Sequence, residues 1–481
     1  MAGDSVTLHW DRRGEHVVRD EANGSLVFVR EGLPSFRLVE ERAFGAEEGT
    51  PFDPSRSSLI IRGENLFALL GLLPHFASKV DFVCIDPPFN TGSGFPDYVD
   101  DFDHDAYLSM MEARLALAKE LLRPGGIIAV HTDREEQPYV RILLDEVFGR
   151  KRLVAQISWQ RAPDRTLLGQ GSTLINDCVE YIAVFSNGPV RPDLPIPQKE
   201  EPLSWRTLSS YSRVLRASSD RTLVDEFPGP GGQLVRIYAH RSYSLVPLGA
   251  DTVRRAAAGA WERLESVFPS IVRLTNQQKE STFQQELIRH MPERDVLYSA
   301  EYLQLRGKHK GSRTRFYLNG QVVLFLKDVA KFEGGRAVRV SDLNNFWTDD
   351  EVPATGIAAE GGVALKRGKK PERLLARLTG AFTREGDLVL DFFAGSGTTG
   401  AVALKTGRRF IMVDASDDAV SQATSRLARV VSGEDRTGIS RQVGWKGGGG
   451  FRLWSVAVMK RQGTLPLPPE PGLQSVPPAR T

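Results

Sequence analysis

Cysteine is scarce in this chain: Cys84 and Cys178 are the only two among 481 residues. They stand far apart in apolar surroundings, which argues against a disulfide scaffold or a thiolate zinc site and fits a reducing cytoplasm. The eight histidines show no HExxH or other ligand spacing, so no metal is expected. No run of about 18 apolar residues occurs, so no membrane-spanning helix is expected. The opening MAGDSVTLHWDRRGEH lacks the apolar stretch of a secretory signal. A strong charge of one sign is missing too, the net being +2. What remains, 41% hydrophobic and 25% charged residues, is the balance of a globular protein long enough for two or three units.

The +2 is unevenly placed. Arg306 to Arg339 carries nine Lys and Arg against two acids, interleaved with Phe316, Tyr317, Phe325 and Phe332. A solvated sheet face has this composition, and so does a phosphate-binding surface, where clustered cations release counterions.

Residues 1–55 are polar with short β-like runs and read as an N-terminal extension. From Ser57 strands and helices alternate: SLIIRG, ENLFALLGLL, VDFVCID, a helical stripe from Ala106 to Leu122, IIAVHTD, and a helix from Arg134 to Phe148. LVAQISW and CVEYIAVF close the block near 186. Residues 187–345 lose this rhythm and read as an inserted domain. Rhythm returns over 346–460 with PERLLARL, DLVLDFF, a glycine turn, a helix, RFIMVD and another helix, ending in the strand of WKGGGGFRLWSV. The tail, 461–481, is too Pro-rich to pack and is expected to be disordered. Alternation on both sides of an insertion predicts an α/β fold with one parallel sheet built from two sequence blocks.

Two corners carry chemistry. FVCIDPPFNTG ends an apolar strand by placing Asp86 against Pro87 and Pro88, with Phe89 behind. DFFAGSGTTG runs a strand through Gly395-Ser396-Gly397 into a helix, where glycines admit a ligand to the backbone and to free N–H groups. Gly395, Gly397 and Gly400, with Asp414 ending the next strand, also satisfy a dinucleotide fingerprint, which keeps a nicotinamide or flavin enzyme in view. If the two strands are neighbours, the 305 positions separating Asp86 from Asp391 collapse into one cleft. The first corner suits an aromatic amine such as adenine. A carboxylate accepting one N–H and a proline-held carbonyl accepting the other draw the nitrogen toward tetrahedral geometry, while Phe89 stacks on the ring.

DPPF followed downstream by FAGSGTT resembles the β-type amino-DNA methyltransferases, in which the catalytic motif precedes the S-adenosylmethionine motif and a target-recognition domain lies between. DPPFNTGSGFPDYVDDF resembles in particular the adenine-N6 Mod subunits of type III restriction–modification systems. The likeness spans about Leu59 to Trp159 and Asp349 to Asp414, with RGENLFALL, GGIIAVHTD and KKPERLLARL in family order. It implies a circularly permuted Rossmann-like sheet with helices on both faces. It also implies that Asp86, Pro87, Pro88 and Phe89 hold a flipped base and that Phe393, Gly395 and Gly397 shape the cofactor pocket. Asp391 would lie near the cofactor's amino group, with Thr398 and Thr399 as donors. Asp414 would meet the ribose, although the family more often has Glu there. Glu64, where Asp is commoner, would meet the cofactor's adenine, and Lys370 matches a family Lys-Pro pair near the cofactor's carboxylate end. For Glu64 and Lys370, a solvated acid and a helix-flanking cation are the plain alternatives.

A base inside a duplex cannot reach Asp86, so flipping is implied. The insertion would read double-stranded DNA, with Arg306, Lys308, Lys310, Arg313 and Arg315 on phosphates. Carbon-5 methylation of cytosine needs a thiol, and both cysteines read as core. His131 and Asp133, ending a strand, read as capping or packing. Cytosine-N4 methylation stays open, as does a DNA-recognition subunit without catalysis. The resemblance further implies a prokaryotic, nucleoid-associated location, with a second copy and a restriction subunit as candidate partners.

Overall fold

The computed structural model describes the chain apart from residues 1–6, 12, 20–25, 30–32, 34, 91–102, 162–177, 195–197, 219, 262–263, 277–281, 306–310, 334, 355, 363–368 and 459–481. The expected disordered tail and Arg306, Lys308 and Lys310 therefore lie outside the described residues. Two compact units form: Met1–Ile196 with Asn344–Thr481, and Pro197–Leu343.

The first unit is built on a ten-stranded sheet. Its strands are β1 (Phe36–Gly45), β2 (Leu59–Arg62), β3 (Val80–Ile85), β4 (Leu122–Thr132), β5 (Leu153–Gln160), β6 (Val179–Ser186), β7 (Phe346–Trp347), β8 (Leu388–Asp391), β9 (Arg409–Asp414) and β10 (Gly450–Val458). Their order across the sheet is β7-β5-β6-β4-β3-β8-β9-β2-β10-β1. The six strands from β4 to β10 are parallel, and antiparallel β6 and β1 flank them. Every residue of β3 and of β8 is buried, as a parallel strand covered on both faces requires.

Counted from the strand before the glycine turn, the order reads 3-2-1-4-5 through β2, β9, β8, β3 and β4. The chain visits its third, fourth and fifth strands before its first and second, so the doubly wound sheet is circularly permuted. Helices α1 (Asn65–Phe76) and α2 (His104–Leu121) carry the chain from β2 to β3 to β4. α4 (Glu372–Phe382) precedes β8, and α5 (Thr398–Lys405) and α6 (Asp417–Ser432) carry it the other way; α3 is Gln137–Leu144. Right-handed crossovers in opposite directions place the two sets on opposite faces. The chain thus departs in opposite senses from adjacent β3 and β8, which makes their carboxyl ends the switch point.

At the other ends of the same strands a charged clasp ties the halves together. Asp81 accepts from the Leu388 amide at 2.8 Å and pairs with Arg123 at 2.9 Å. Arg191 bridges Asp81 at 3.1 Å and Asp387 at 2.8 Å. Arg191 belongs to this unit, so the second unit begins later than the expected 187.

Two sequence expectations need correction. Residues 1–55 are not a mere extension: β1 pairs antiparallel with β10 along its length, and Trp10 donates to Ser109 on α2 at 2.8 Å. The β-like run SFRLVE runs into β1, but its partner β10 lies at the far end of the sequence, so no local pattern shows the pairing. The stretch read as irregular is regular in the second unit. Eight antiparallel strands form one sheet and three more another, around cores that include Trp261 with Phe268 and Tyr298 with Tyr317. Among the described residues no helix is long and apolar enough to cross a membrane.

Candidate active site

At the switch point a cavity of about 520 Å³ is lined by both chemically loaded corners, from Asp86–Phe89 to Asp391–Ser396. That volume suits a cofactor-sized ligand. β3 and β8 are hydrogen-bonded neighbours in register Leu390 to Val83, so the strands deliver Asp86 and Asp391 to the same edge.

On the β8 side the turn is shaped by its glycines. Gly397 has φ +74°, and a Cβ there would meet the backbone and side chain of Ala423 at 2.9–3.1 Å. A Cβ on Gly400 would strike Met412 at 2.8 Å, so that glycine lets α5 lie on β9. Gly395 also has positive φ, but its missing Cβ would enter open space on the cavity wall, the place where a ligand approaches the backbone. Asp391 accepts from the Phe393 amide at 3.0 Å and the Thr399 hydroxyl at 2.6 Å. Burial nonetheless pushes its carboxyl up to about 7. Asp414 accepts from the Gly395 amide at 2.8 Å and the Ser416 amide at 2.9 Å. Its remaining lone pairs can still take a hydroxyl.

Beneath the turn lies a fully buried charge network. Arg426 on α6 donates to the Thr398 hydroxyl at 2.8 Å and the Ser396 carbonyl at 3.3 Å. Glu372, at the start of α4, holds Arg426 at 2.7 Å and Lys405 at 2.8 Å. Lys405 in turn bonds Asp435 at 2.8 Å. None of its charged members, Arg426, Glu372, Lys405 or Asp435, was singled out in the sequence.

On the β3 side, Asp86 Oδ2 lies 3.1 Å from Lys370 Nζ, while the buried Oδ1 has no hydrogen-bond partner among the described residues. Burial raises the Asp86 carboxyl above its ordinary range, opposed by Lys370. Burial works to lower the Lys370 ammonium, but Asp86 and Glu180 outweigh it and the net shift is upward. Lys370 also stands 4.5 Å over the Phe89 ring and 3.3 Å from Glu180. Glu180 lies 2.6 Å from His131 Nε2 and accepts from Arg161 at 3.2 Å. Burial works to raise Glu180, yet Lys370 and then His131 hold it well below the usual carboxylate range.

The cavity wall thus includes Asp86, Pro87, Pro88, Phe89, Glu64, Lys370, Asp391, Phe393, Gly395, Thr398, Thr399 and Asp414; Gly397 acts from behind as a packing residue. Some placements differ from the sequence reading. Lys370, assigned to the cofactor, pairs with Asp86, because the turn before α4 aims it at the β3 corner. The Thr399 hydroxyl donates to Asp391, while the Thr398 hydroxyl accepts from Arg426. Glu64 caps α1 through the Leu66 amide at 3.2 Å and pairs with Arg114, so one of its oxygens is already engaged. His131 and Glu180 were missed as site residues. The signal for Glu180 was an acid inside the apolar run CVEYIAVF. Arg313 and Arg315 lie half-buried on one face of a strand, Gly311–Leu318, that is paired on both sides in the second unit.

This strand order, with a glycine turn and an acidic corner sharing the switch-point cleft, defines a Rossmann-like methyltransferase fold. The family model described as DNA methylase, N6_N4_Mtase, matches residues 80–425, and the chain belongs to that family. The chain is 33% identical over 427 residues to the HindVI Mod subunit of a type III restriction-modification enzyme of Haemophilus influenzae, covering 84% of this chain and 54% of that one. It is 24% identical to the EcoPI Mod subunit of Escherichia phage P1, covering 76% and 57%. It therefore spans little more than half the length of these curated relatives. Among solved structures, a Thermus thermophilus protein described as a DNA modification methylase, complexed with S-adenosyl-L-methionine, is 14% identical with a TM-score of 0.36, covering 83% of this chain and 99% of that one.

Proposed function

We propose that this protein transfers a methyl group from S-adenosylmethionine to the exocyclic N6 of an adenine flipped out of double-stranded DNA. The observation that carries the reading is the Asp86 Oδ1 left unpartnered among the described residues, sharing one cavity with the glycine turn. A buried carboxylate oxygen without a partner is costly, and an amine N–H is the donor that would satisfy it. S-adenosylmethionine supplies an electrophilic methyl on sulfonium. Asp391 faces its ammonium, Gly395 admits it to the backbone, and Asp414 accepts from its ribose. Asp86 accepts one amine hydrogen, a carbonyl of the Pro87–Pro88 corner accepts the other, and Phe89 stacks on the base. The cleft positions and polarises, with no covalent intermediate. The adenine assignment draws on the Mod names of the relatives, which also suggest a restriction subunit as partner. Mass spectrometry of nucleosides from DNA incubated with the protein and S-adenosylmethionine tests it. N6-methyl-2′-deoxyadenosine is expected; N4-methyl-2′-deoxycytidine alone would overturn the base assignment, and no methylated nucleoside would overturn the activity.

Cofactor binding should depend on pH through Asp391. Its carboxyl is raised to about 7, so it is neutral in mildly acidic solution and cannot pair with an ammonium. The dissociation constant for S-adenosylmethionine should rise by up to about tenfold per pH unit below 7, and Asp391→Asn should bind weakly with a flat profile. The sign reverses for the free protein. A carboxyl raised on folding adds stability in acid, and that contribution is lost as pH rises through about 7. Calorimetric titrations between pH 6 and 8 that show one constant affinity would remove Asp391 from the cofactor.

The second unit is the proposed DNA-reading part. Lys310→Ala and Arg313→Ala should each weaken DNA binding and reduce the salt slope by about one. An unchanged slope in both would place the phosphate contacts elsewhere.

A further inference from the structure

We infer that Glu180 and Lys370 form a positioning pair that leaves one oxygen of Asp86 and one face of Phe89 free for the target base. The inference rests on Asp86 being the amine acceptor. Glu180 sits on β6, whose antiparallel neighbour β4 carries His131, and Lys370 precedes α4. The side chains are 5% and 9% exposed, and a buried acid and cation persist only when each is paired. Glu180 is engaged at both ends. One oxygen accepts from Arg161, while the other lies 2.6 Å from His131 and 3.3 Å from Lys370.

Lys370 is thereby held in one place with two consequences. Its ammonium occupies Asp86 Oδ2 at 3.1 Å, so Oδ1 is the oxygen left to accept from a ligand. Its charge also covers one face of the Phe89 ring at 4.5 Å, so a planar base must stack on the opposite face. The His131 ring lies 5.9 Å from Phe89 and is tilted from it by 37°. Freed from Glu180, Lys370 can swing to bridge both Asp86 oxygens and consume the acceptor the base needs. Glu180 thus acts through Lys370.

Glu180→Gln and Lys370→Gln should each lower the kcat for methyl transfer by up to about 100-fold, the scale of a misplaced reacting group, with the KM for S-adenosylmethionine little changed. The double variant should be no slower than Lys370→Gln alone, because one residue works through the other. The pH profiles separate the pair from mere packing. Asp86 is faced by Lys370, Glu180, His131, Asp391 and Cys84. Loss of the cation should move the acid limb of kcat up by about one unit, and loss of the Glu180 charge should move it down. Losses that multiply in the double variant, or an acid limb unmoved by Lys370→Gln, would overturn the inference. If the unaltered protein methylates no DNA, the proposed activity fails instead. ¹³C NMR titration of the Asp86 carboxylate then decides the pair by the same opposite displacements, and its failure to move would reject it.

Discussion

Asp86→Ala is expected to slow methyl transfer by roughly three orders of magnitude, the cost of removing a preorganised polar group from a transition state. S-adenosylmethionine should still bind within about threefold, since truncating a group outside the cofactor's half of the cleft leaves its contacts in place. The fold tolerates this change for a specific reason. Lys370 loses Asp86 but keeps Glu180 at 3.3 Å, so no buried cation is stranded. Single-turnover rates and calorimetry on the same preparation check both halves. A variant that methylates at the normal rate would remove Asp86 from the chemistry, and one that no longer binds cofactor would make its role architectural.

Glu372→Ala should produce the largest loss of stability. Its carboxylate, fully buried, holds both Arg426 and Lys405 and accepts from the Ile439 amide at 3.0 Å. Removing it leaves two buried cations short of an anion, with Asp435 as the remaining carboxylate on Lys405. Breaking a buried pair from one side costs about 3–5 kcal/mol, read as a lower urea midpoint. Cofactor affinity should fall with it, because Arg426 anchors Ser396 and Thr398 from below. Arg373→Ala, one residue along and exposed, should stay within about 0.5 kcal/mol. Equal effects from the two would mean the network contributes nothing special.

How far the sequence could be read follows from how local each feature is. The two corners are contiguous strings whose residues stand next to one another in the fold, so DPPF and FAGSGTT marked the two walls of the cavity. Glu180, His131 and Lys370 meet because β6 lies antiparallel beside β4 and because the turn before α4 points at β3. None of that strand order is written in a local pattern, so His131 read as packing and Glu180 passed unnoticed. The second unit was opaque for another reason. Its strands are short and half exposed, and charges such as Arg313 and Arg315 fall where an apolar alternation would have marked a sheet.

The clasp of Asp81, Arg191 and Asp387 bears on how the polypeptide matures. β3 is made before the partner it pairs with on one side, β8, which emerges some 300 residues later. Until then one row of its backbone amides and carbonyls has no mate, a template for mispairing with other nascent chains. Arg191 is made in the interval and can neutralise Asp81 before Asp387 arrives. Ribosome-bound fragments ending before residue 388 should therefore aggregate more readily than fragments ending after 414.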